Sequence, residues 1–293
     1  MPRWIRLSFH CLCCLLPWGS LRADLLSDAR SLYDESRYAE AEPLFAAVLA
    51  GAPDNRDALL HLGKLAAKRQ DRATAVDYLK HAVALNPDDA ELQFEYGAAC
   101  SFYAATLGTS IRAAWHARNG RIAMEKSVKM APENLIYRQG LLEFYCSAPM
   151  IVGGSMAKAK AQAVAISALD VNQGAFAKAN LQLVEKDYAG ALITLTSVLE
   201  RAPDNYFALF QFGRTAAQSG ERLADGLVAL RRCLELKTPD KGAQPAYVWW
   251  HIGKILTQQG DRAAARLALE TARQLAPFDS RIAKALAELN RQA

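Results

Sequence analysis

Residues 246–279 read AYVWWHIGKILTQQGDRAAARLALETARQLAPFD. The apolar residues of this stretch recur at spacings of three and four, which predicts two amphipathic helices rather than strands. The first helix would bury Trp249, Ile252, Gly253 and Leu256. After a turn at 260–262, the second would bury Ala265, Leu269 and Ala272. The stretch ends at a proline, which suits the boundary between two helices, so it is read as a helical hairpin.

The same hairpin pattern recurs along the chain. Residues 56–89 repeat it, and a proline followed by acidic or polar residues marks the unit boundaries at Pro53, Pro87, Pro132, Pro203 and, more loosely, Pro277. Small residues recur where the two helices of a hairpin would touch, at Gly63, Gly97, Gly213 and Gly253 in first helices and at Ala41, Ala75, Ala191 and Ala265 in second helices. A recurring unit of about 34 residues predicts stacked hairpins rather than one globular core.

At these residues the chain resembles the tetratricopeptide repeat family, and Trp249 matches the first-helix tryptophan of that family. The resemblance covers nearly all of the chain after residue 23. It implies an all-α fold, a right-handed superhelical solenoid of helical hairpins with a capping helix at its end. We expect one solenoid domain over 24–279, with units near 22–55, 56–89, 90–134, 135–172, 172–205, 206–245 and 246–279, followed by a C-terminal capping helix over 280–293.

Some units depart from the regular pattern. The unit 90–134 exceeds the 34-residue period by about eleven residues, which we expect to lie between its two helices. The unit 206–245 ends in a long exit segment. Next to the repeated prolines, Asp54 and Asp88 are expected to cap the helices that follow them.

The first 23 residues do not belong to the repeat pattern. They begin with Arg3 and Arg6, continue with a short apolar run over 7–16, and end at Ala23. A basic start followed by a short apolar core is typical of a secretory signal peptide. We therefore expect an exported, periplasmic protein that is cleaved near Ala23, with an uncleaved anchor as the alternative. No further apolar segment is long enough to predict a membrane span.

Composition narrows the classes of function. Apolar residues make up 52% of the chain and charged residues 22%, and three of the basic residues behind the net charge of +5 lie in the leader. This balance argues against a nucleic-acid partner, which would need a clustered basic face. Of the six cysteines, only Cys100, Cys146 and Cys233 lie outside the leader. We read them as small packing residues, and a single disulfide between two of them is the alternative.

The sequence offers little catalytic chemistry. It contains no His-Glu-x-x-His helix, no Gly-x-Ser-x-Gly elbow and no phosphate-binding glycine loop. No cysteine and histidine cluster predicts a metal site. His116 stands beside Trp115 without a nucleophile or carboxylate partner nearby in sequence, so a packing role is favoured over a catalytic one. We expect a protein that is not an enzyme and that needs no cofactor or metal.

One local motif stands out at 148–155, which reads APMIVGGS. Two glycines permit positive backbone angles, and Ser155 suits a helix N-cap, so an elaborated turn with a capping serine is one interpretation. The other is an anion site built from Gly153, Gly154, Ser155 and Lys158, because helix N-termini bind anions. The motif, after a lengthened unit, resembles a subgroup of exported bacterial members of the repeat family, and this resemblance assigns it no chemistry.

The resemblance also implies a concave groove, lined by the second, fifth, ninth and twelfth residues of each unit. In the last three units we expect the groove to hold Phe176, Asn180, Phe207, Phe210, Arg214, Tyr247, Trp250 and Lys254. Such aromatic and basic residues suit a peptide with apolar side chains and an acidic group or C-terminus. Packing of Phe210 and Trp250 in the core is the alternative. The family's chaperone-binding members carry Lys and Asn at the fifth and ninth positions of the first unit, where this chain has Leu26 and Arg30.

The sequence therefore predicts a non-catalytic scaffold or adaptor of the bacterial cell envelope that binds a protein or peptide through the groove. The alternative function is that of an accessory subunit for envelope polysaccharide synthesis or export. A long acidic groove lined by tyrosine and tryptophan would favour the saccharide, and the basic aromatic strip favours the peptide. The sequence gives no indication of the oligomeric state or of the partner's identity.

Overall fold

The computed structural model describes residues 18–239 and 242–291, and this part of the chain is helical, without strands. Six helices form the first three hairpins: α1 (Trp18–Asp34), α2 (Tyr38–Gly51), α3 (Arg56–Lys68), α4 (Arg72–Leu85), α5 (Ala90–Thr106) and α6 (Ile111–Met130). Eight form the next four: α7 (Leu135–Ser147), α8 (Met156–Leu169), α9 (Val171–Val184), α10 (Tyr188–Arg201), α11 (Tyr206–Ser219), α12 (Leu223–Glu235), α13 (Pro245–Gln258) and α14 (Arg262–Leu275). A last helix, α15, spans Ser280–Arg291. The predicted all-α fold of seven hairpins with a C-terminal helix is confirmed.

The chain divides into two compact units, Met1–Ala131 and Pro132–Ala293. The first contains the hairpins α1–α2, α3–α4 and α5–α6. The second contains the four remaining hairpins, α15 and a short 3₁₀ helix, Met150–Val152. In each unit a helix packs mainly against its neighbours in the sequence, as is expected for stacked repeats.

Glycine in the first helix sets the distance between the two helices of several hairpins. Gly63 lies against Leu79, and Gly253 lies against Leu269 in the same way. A Cβ atom added at Gly253 would come 2.6 Å from the Cγ atom of Leu269, which is closer than van der Waals contact allows. Gly213 has the corresponding contact with Leu230. The small residues of the repeat pattern therefore mark real close approaches between helices.

Side-chain caps fix where the helices begin. Asn55 accepts a hydrogen bond from the amide of Ala58 at 2.9 Å, and Asp89 caps α5 in the same way. The prediction that Asp54 and Asp88 are the caps is wrong by one residue, because these two carboxylates instead reach side chains of second helices. Most of the second helices begin after an acidic or hydroxyl cap, including Asp71, Ser110, Ser155, Asp187 and Asp261.

The third hairpin is longer than its neighbours. The helices α5 and α6 have 17 and 20 residues, whereas α3 and α4 have 13 and 14. The expectation that the extra residues lie between the helices is wrong, because only the short turn 107–110 separates them. Gly97 and Gly120 explain how the longer helices stay in contact, since a Cβ atom at either glycine would lie 2.8 Å from the carbonyl oxygen of the other.

The end of the second unit is closed by α15. Its residues Ile282, Leu286 and Leu289 are buried in the same apolar cluster as Ile252 and Leu269. This burial removes apolar surface that the last hairpin would otherwise expose to water, and solenoid ends need such a cap.

Two of the predicted packing cysteines are buried. Cys100 and Cys233 are almost fully enclosed and Cys146 is half-buried, and all three thiols are free. Burial raises the pKa of Cys100 to about 11 and that of Cys233 to about 12, so both are neutral thiols at pH 7.

Residues 1–17 of the predicted signal peptide, 1–23, lie outside the described residues. Among the helices that are described, none is both long enough and apolar enough to cross a bilayer.

The contact between Gly253 and Leu269 makes a prediction about stability. Gly253→Val should lower the free energy of unfolding by about 1–3 kcal/mol, because the added methyl groups have no space beside Leu269. Ala263→Val, at an exposed position of α14, is the matched control and should cost only about 0.5 kcal/mol through helix propensity. Urea unfolding followed by circular dichroism measures both, and equal midpoints for the two variants would contradict the proposed role of the glycine.

Candidate functional site

Five of the eight predicted groove residues line one open cleft in the second unit. The cleft has a volume of about 410 Å³ and is lined by Phe210, Arg214, Gln218, Ala243, Tyr247, Trp250, His251, Lys254 and Arg281. Tyr247, Trp250 and Lys254 share one stripe of α13, because they are three and four residues apart. Phe210 and Arg214, four residues apart, form the facing stripe of α11. The cleft thus lies between two first helices, beside the start of α15.

The other three predicted groove residues lie elsewhere. Phe176 and Asn180 line a separate, very small cavity between α9 and α11. Phe207 is 42% exposed, and its ring meets Tyr206 edge-on at 6.2 Å between centroids. The eight residues therefore do not line a single pocket, and the site that the structure assembles is the cleft around Trp250.

Aromatic rings hold two of the cations of the cleft. The Nζ atom of Lys254 lies 5.3 Å from the centre of the Trp250 ring. The guanidinium of Arg281 lies 4.8 Å from the ring centre of Tyr247 and 5.5 Å from that of Trp250. Such cation–π contacts contribute about 0.5–1 kcal/mol each at exposed sites. Arg281 is also oriented by Asp279, with 2.6 Å between Nη2 and Oδ2.

Positive charge exceeds negative charge in the cleft. In the described part of the chain neither Arg214 nor Lys254 forms an ion pair, and the carboxylate of Asp279 is engaged by Arg281. Burial lowers the pKa of Arg214 and that of Lys254, because removal from water disfavours their charged forms. An anionic group placed here would offset that desolvation.

The cleft also concentrates polar atoms that lack hydrogen-bond partners. In the described residues, five buried side-chain nitrogen or oxygen atoms have none: His116 Nδ1, Gln211 Oε1, Arg214 Nε, Trp250 Nε1 and His251 Nδ1. Three of them belong to residues that line this cleft. An unsatisfied buried polar group costs about 1–3 kcal/mol, so each instance calls for an explanation.

His251 forms part of the floor of the cleft as a neutral ring. It is 6% exposed and packs against Phe210 at 5.6 Å and Trp250 at 4.7 Å between ring centroids. Burial, together with the positive charges of Lys254, Arg214 and Arg281, lowers its pKa to about 3. The imidazole therefore adds apolar surface rather than a fourth positive charge at pH 7.

The equivalent cations of the first compact unit, Met1–Ala131, are paired with carboxylates. Arg30 and Lys64 occupy the ninth position of their 34-residue repeats, as Arg214 and Lys254 do in theirs. Arg30 pairs with Asp57 of the next hairpin, and Lys64 lies 3.1 Å from both Glu91 and Glu95. Arg30 and Lys64 thus link neighbouring hairpins through ion pairs, whereas Arg214 and Lys254 in the cleft have no carboxylate partner among the described residues.

Arg281, His251 and Asp279 were missed as site residues at the sequence level. None of the three is among the groove residues that the sequence predicts. One signal could have found Arg281, because it stands one 34-residue period after Tyr247 and so repeats the second, groove-facing position.

The contacts at the Gly-Gly turn favour the capped-turn interpretation. Gly153 has a φ of 102°, and a Cβ atom at Gly154 would collide with the carbonyl oxygen of Ala148. The amides of Gly153, Gly154 and Ser155 donate to carbonyls of 145–150 at 2.9–3.1 Å. The hydroxyl of Ser155 accepts from the amide of Lys158 at 3.3 Å. The amides of the three turn residues are therefore engaged within the protein, and anion binding here stays a prediction.

His116 lies in an aromatic cluster. Its ring contacts Tyr103 and Trp115, each at 4.8 Å between centroids, and burial lowers its pKa. Across the part of the chain that the structure describes, no group of three or more His, Cys, Asp or Glu side chains is arranged to hold a metal ion.

Comparison with known proteins connects this architecture to a family. Residues 32–94 and 246–279 match tetratricopeptide repeat families. Among solved structures, a tetratricopeptide repeat protein from Parabacteroides merdae superimposes with a TM-score of 0.68 at 14% identity, covering 92% of this chain and 99% of its own. TTC0263, a thermophilic tetratricopeptide repeat protein from Thermus thermophilus, gives 0.53 at 20% identity over 66% of this chain and 98% of its own. These likenesses show the fold. No curated protein matches the chain in sequence.

The burial of His251 predicts a dependence of stability on pH. Its folded pKa of about 3 lies below the ordinary 6.5, so between these values the unfolded chain binds a proton that the folded chain does not. Stability should therefore fall as the pH drops below about 6.5, by up to about 1.4 kcal/mol per pH unit from this residue. Urea unfolding at pH 7.5, 6.0 and 5.0 should give a flatter pH dependence for His251→Phe than for the unmodified chain. Identical slopes would contradict the assignment.

Proposed function

Because the chain is a tetratricopeptide repeat protein, we propose that it is a non-catalytic scaffold of the cell envelope that binds a protein or peptide partner through the cleft between α11 and α13. Proteins with this fold act in general as platforms for protein partners. The cleft supplies what a peptide site needs, namely aromatic surface for apolar side chains and fixed charges for orientation.

The observation that carries the proposal is the combination of Trp250, Tyr247 and Arg214 in one open cleft. Trp, Tyr and Arg are the residues most often found at the energetic centres of protein interfaces. Here the two rings line an open cleft rather than being fully enclosed, and Arg214 brings a charge that the described residues do not neutralise. A site that served packing alone would gain nothing from a half-buried, unpaired guanidinium.

The charge of the cleft also separates the two candidate functions. An accessory role in polysaccharide synthesis or export would be favoured by acidic groups beside the aromatic rings. The lining of the cleft instead includes three cations, Arg214, Lys254 and Arg281, and the last of these is paired with the neighbouring carboxylate of Asp279. This balance supports a peptide partner with an acidic group.

Localisation in the envelope rests on the leader. Residues 1–23 carry the basic start and the short apolar run of a secretory signal peptide. We therefore propose export to the periplasm followed by cleavage.

Two substitutions test the binding role. Trp250→Ala should weaken partner binding by about thirtyfold or more, because truncating a central aromatic anchor typically costs about 2 kcal/mol. Arg214→Glu should weaken it further and should change its dependence on salt. The partner is first identified by crosslinking and pull-down of the mature protein from its native envelope, and its affinity is then measured by calorimetry.

The matched control is Trp115→Ala, which removes a half-exposed tryptophan from the first unit and should leave binding unchanged. Melting temperatures of all variants show whether the fold persists. If Trp250→Ala unfolds the end of the second unit, Trp250 is a core residue. If both cleft variants fold and bind normally while Trp115→Ala does not, the partner uses the α5–α6 hairpin instead.

The leader makes a separate prediction. When the full chain is expressed in a Gram-negative host, the periplasmic fraction should contain a protein that begins near Ala23 or Asp24. N-terminal sequencing and fractionation measure this. Recovery of the intact leader on soluble cytoplasmic protein would reject the proposed export.

A further inference from the structure

We infer that the cleft is a carboxylate-binding site, in which the Arg214 guanidinium and the Trp250 indole N–H face the anion and Arg281 of α15 completes its positive rim. This inference rests on the proposed function, and it names the chemical group that the partner must present. The inference follows from one observation: the buried N–H groups without hydrogen-bond partners, on Arg214 and Trp250, lie in the same cleft as the cations without ion pairs.

The first argument is the need for an acceptor. Arg214 Nε and Trp250 Nε1 are N–H groups that can only donate, and both are buried without a partner. Since neither nitrogen can accept a hydrogen bond, the group that satisfies them must bring lone pairs. An ionised carboxylate is a pure acceptor with two oxygens, and it matches the fork of an arginine side chain.

The second argument is charge. The same repeat position carries a paired cation in the first unit, where Lys64 lies 3.1 Å from Glu91 and Glu95. In the cleft, Arg214 and Lys254 have no such partner in the described part of the chain, and Asp279 is held by Arg281. A ligand carboxylate would take the place that Glu91 and Glu95 hold for Lys64.

The third argument is the apolar surface around these charges. Phe210 and the neutral ring of His251 form the floor, and the rings of Tyr247 and Trp250 form one wall. A free phosphate ion would gain nothing from this surface. A carboxylate attached to an apolar residue would gain both charge pairing and burial. The structure therefore favours the end or the acidic side chain of a peptide with an apolar residue next to the anion.

Arg281 gives the site a component outside the repeated hairpins. Its guanidinium stacks over Tyr247 and Trp250, and its contact with Asp279 fixes its orientation. The side chain is 56% exposed, so the core does not need it. We assign it as a specificity residue that favours anions at the mouth of the cleft.

The test uses small probes with the mature, ¹⁵N-labelled chain. The probes are 3-phenylpropionate and its neutral isostere 3-phenylpropanamide, and the signal is the indole N–H resonance of Trp250, assigned with Trp250→Phe. We expect the carboxylate to shift this resonance saturably and the amide to bind at least tenfold more weakly. Equal binding of the two probes, or tighter binding of inorganic phosphate than of the carboxylate, would overturn the inference without any variant having to fold.

Variants then assign the residues. Arg214→Gln should abolish the response to 3-phenylpropionate, and Arg281→Gln should weaken it about threefold to tenfold. Arg273→Gln, an exposed arginine of α14, is the matched control and should bind as the unmodified chain does. An unchanged affinity in a folded Arg214→Gln variant would reject the site.

Two peptides distinguish the sources of the carboxylate. Acetyl-Gly-Ala-Phe with a free C-terminus tests a chain end, and acetyl-Gly-Glu-Phe-amide tests an acidic side chain. Tighter binding of one peptide identifies whether the site prefers a chain end or an acidic side chain. If neither peptide shifts the Trp250 indole resonance, the inference is overturned. If partner capture depends on Trp250 but not on Arg214, the scaffold function stands and the carboxylate site fails. If partner capture depends on neither Trp250 nor Arg214, both the proposed binding through the cleft and the carboxylate site are rejected.

Discussion

The contact between a first-helix glycine and a second-helix leucine is the constraint on which the architecture depends. At Gly63, Gly213 and Gly253 the absence of a Cβ atom lets the leucine of the following helix approach the backbone directly. The close approach fixes how these three first helices are rotated against their second helices. Because that rotation is set, the stripe that carries Trp250 and Lys254 faces the open side of the second unit, where the cleft forms.

Much of the fold could be predicted from the sequence, because each hairpin is a local unit whose helix spacing and turn residues carry its signal. The errors concern details that depend on hydrogen bonding or packing. The caps lie one residue later than predicted, because Asn55 and Asp89 have the extended backbone of an N-cap and their side chains accept from the first turns of α3 and α5. The extra residues of the third hairpin lie in its helices α5 and α6, which approach each other closely at Gly97 and Gly120.

The candidate site was less predictable, because a repeat position indicates on which face of its helix a residue lies but not which side chains it contacts. The repeat positions grouped Phe210, Arg214 and Trp250, and the structure places these three residues around one cleft. The repeat positions could not reveal that Phe176 lines a separate small cavity, since that depends on how α9 packs against α11. Nor could they reveal which ninth-position cations are paired. Lys64 meets acidic residues of the next hairpin, whereas α13 places none beside Arg214.

The last helix joins the stability of the second unit to its candidate site. Its apolar face, with Ile282 and Leu289, closes the core, while Arg281 at its start reaches the rings of the cleft. Both roles have one cause, because the 34-residue register continues from α13 into α15 and keeps the second position facing the groove. Removing the helix would therefore expose the core and dismantle the rim together. Within α15, a change at Arg281, whose side chain is more than half exposed, would alter recognition without removing the cap.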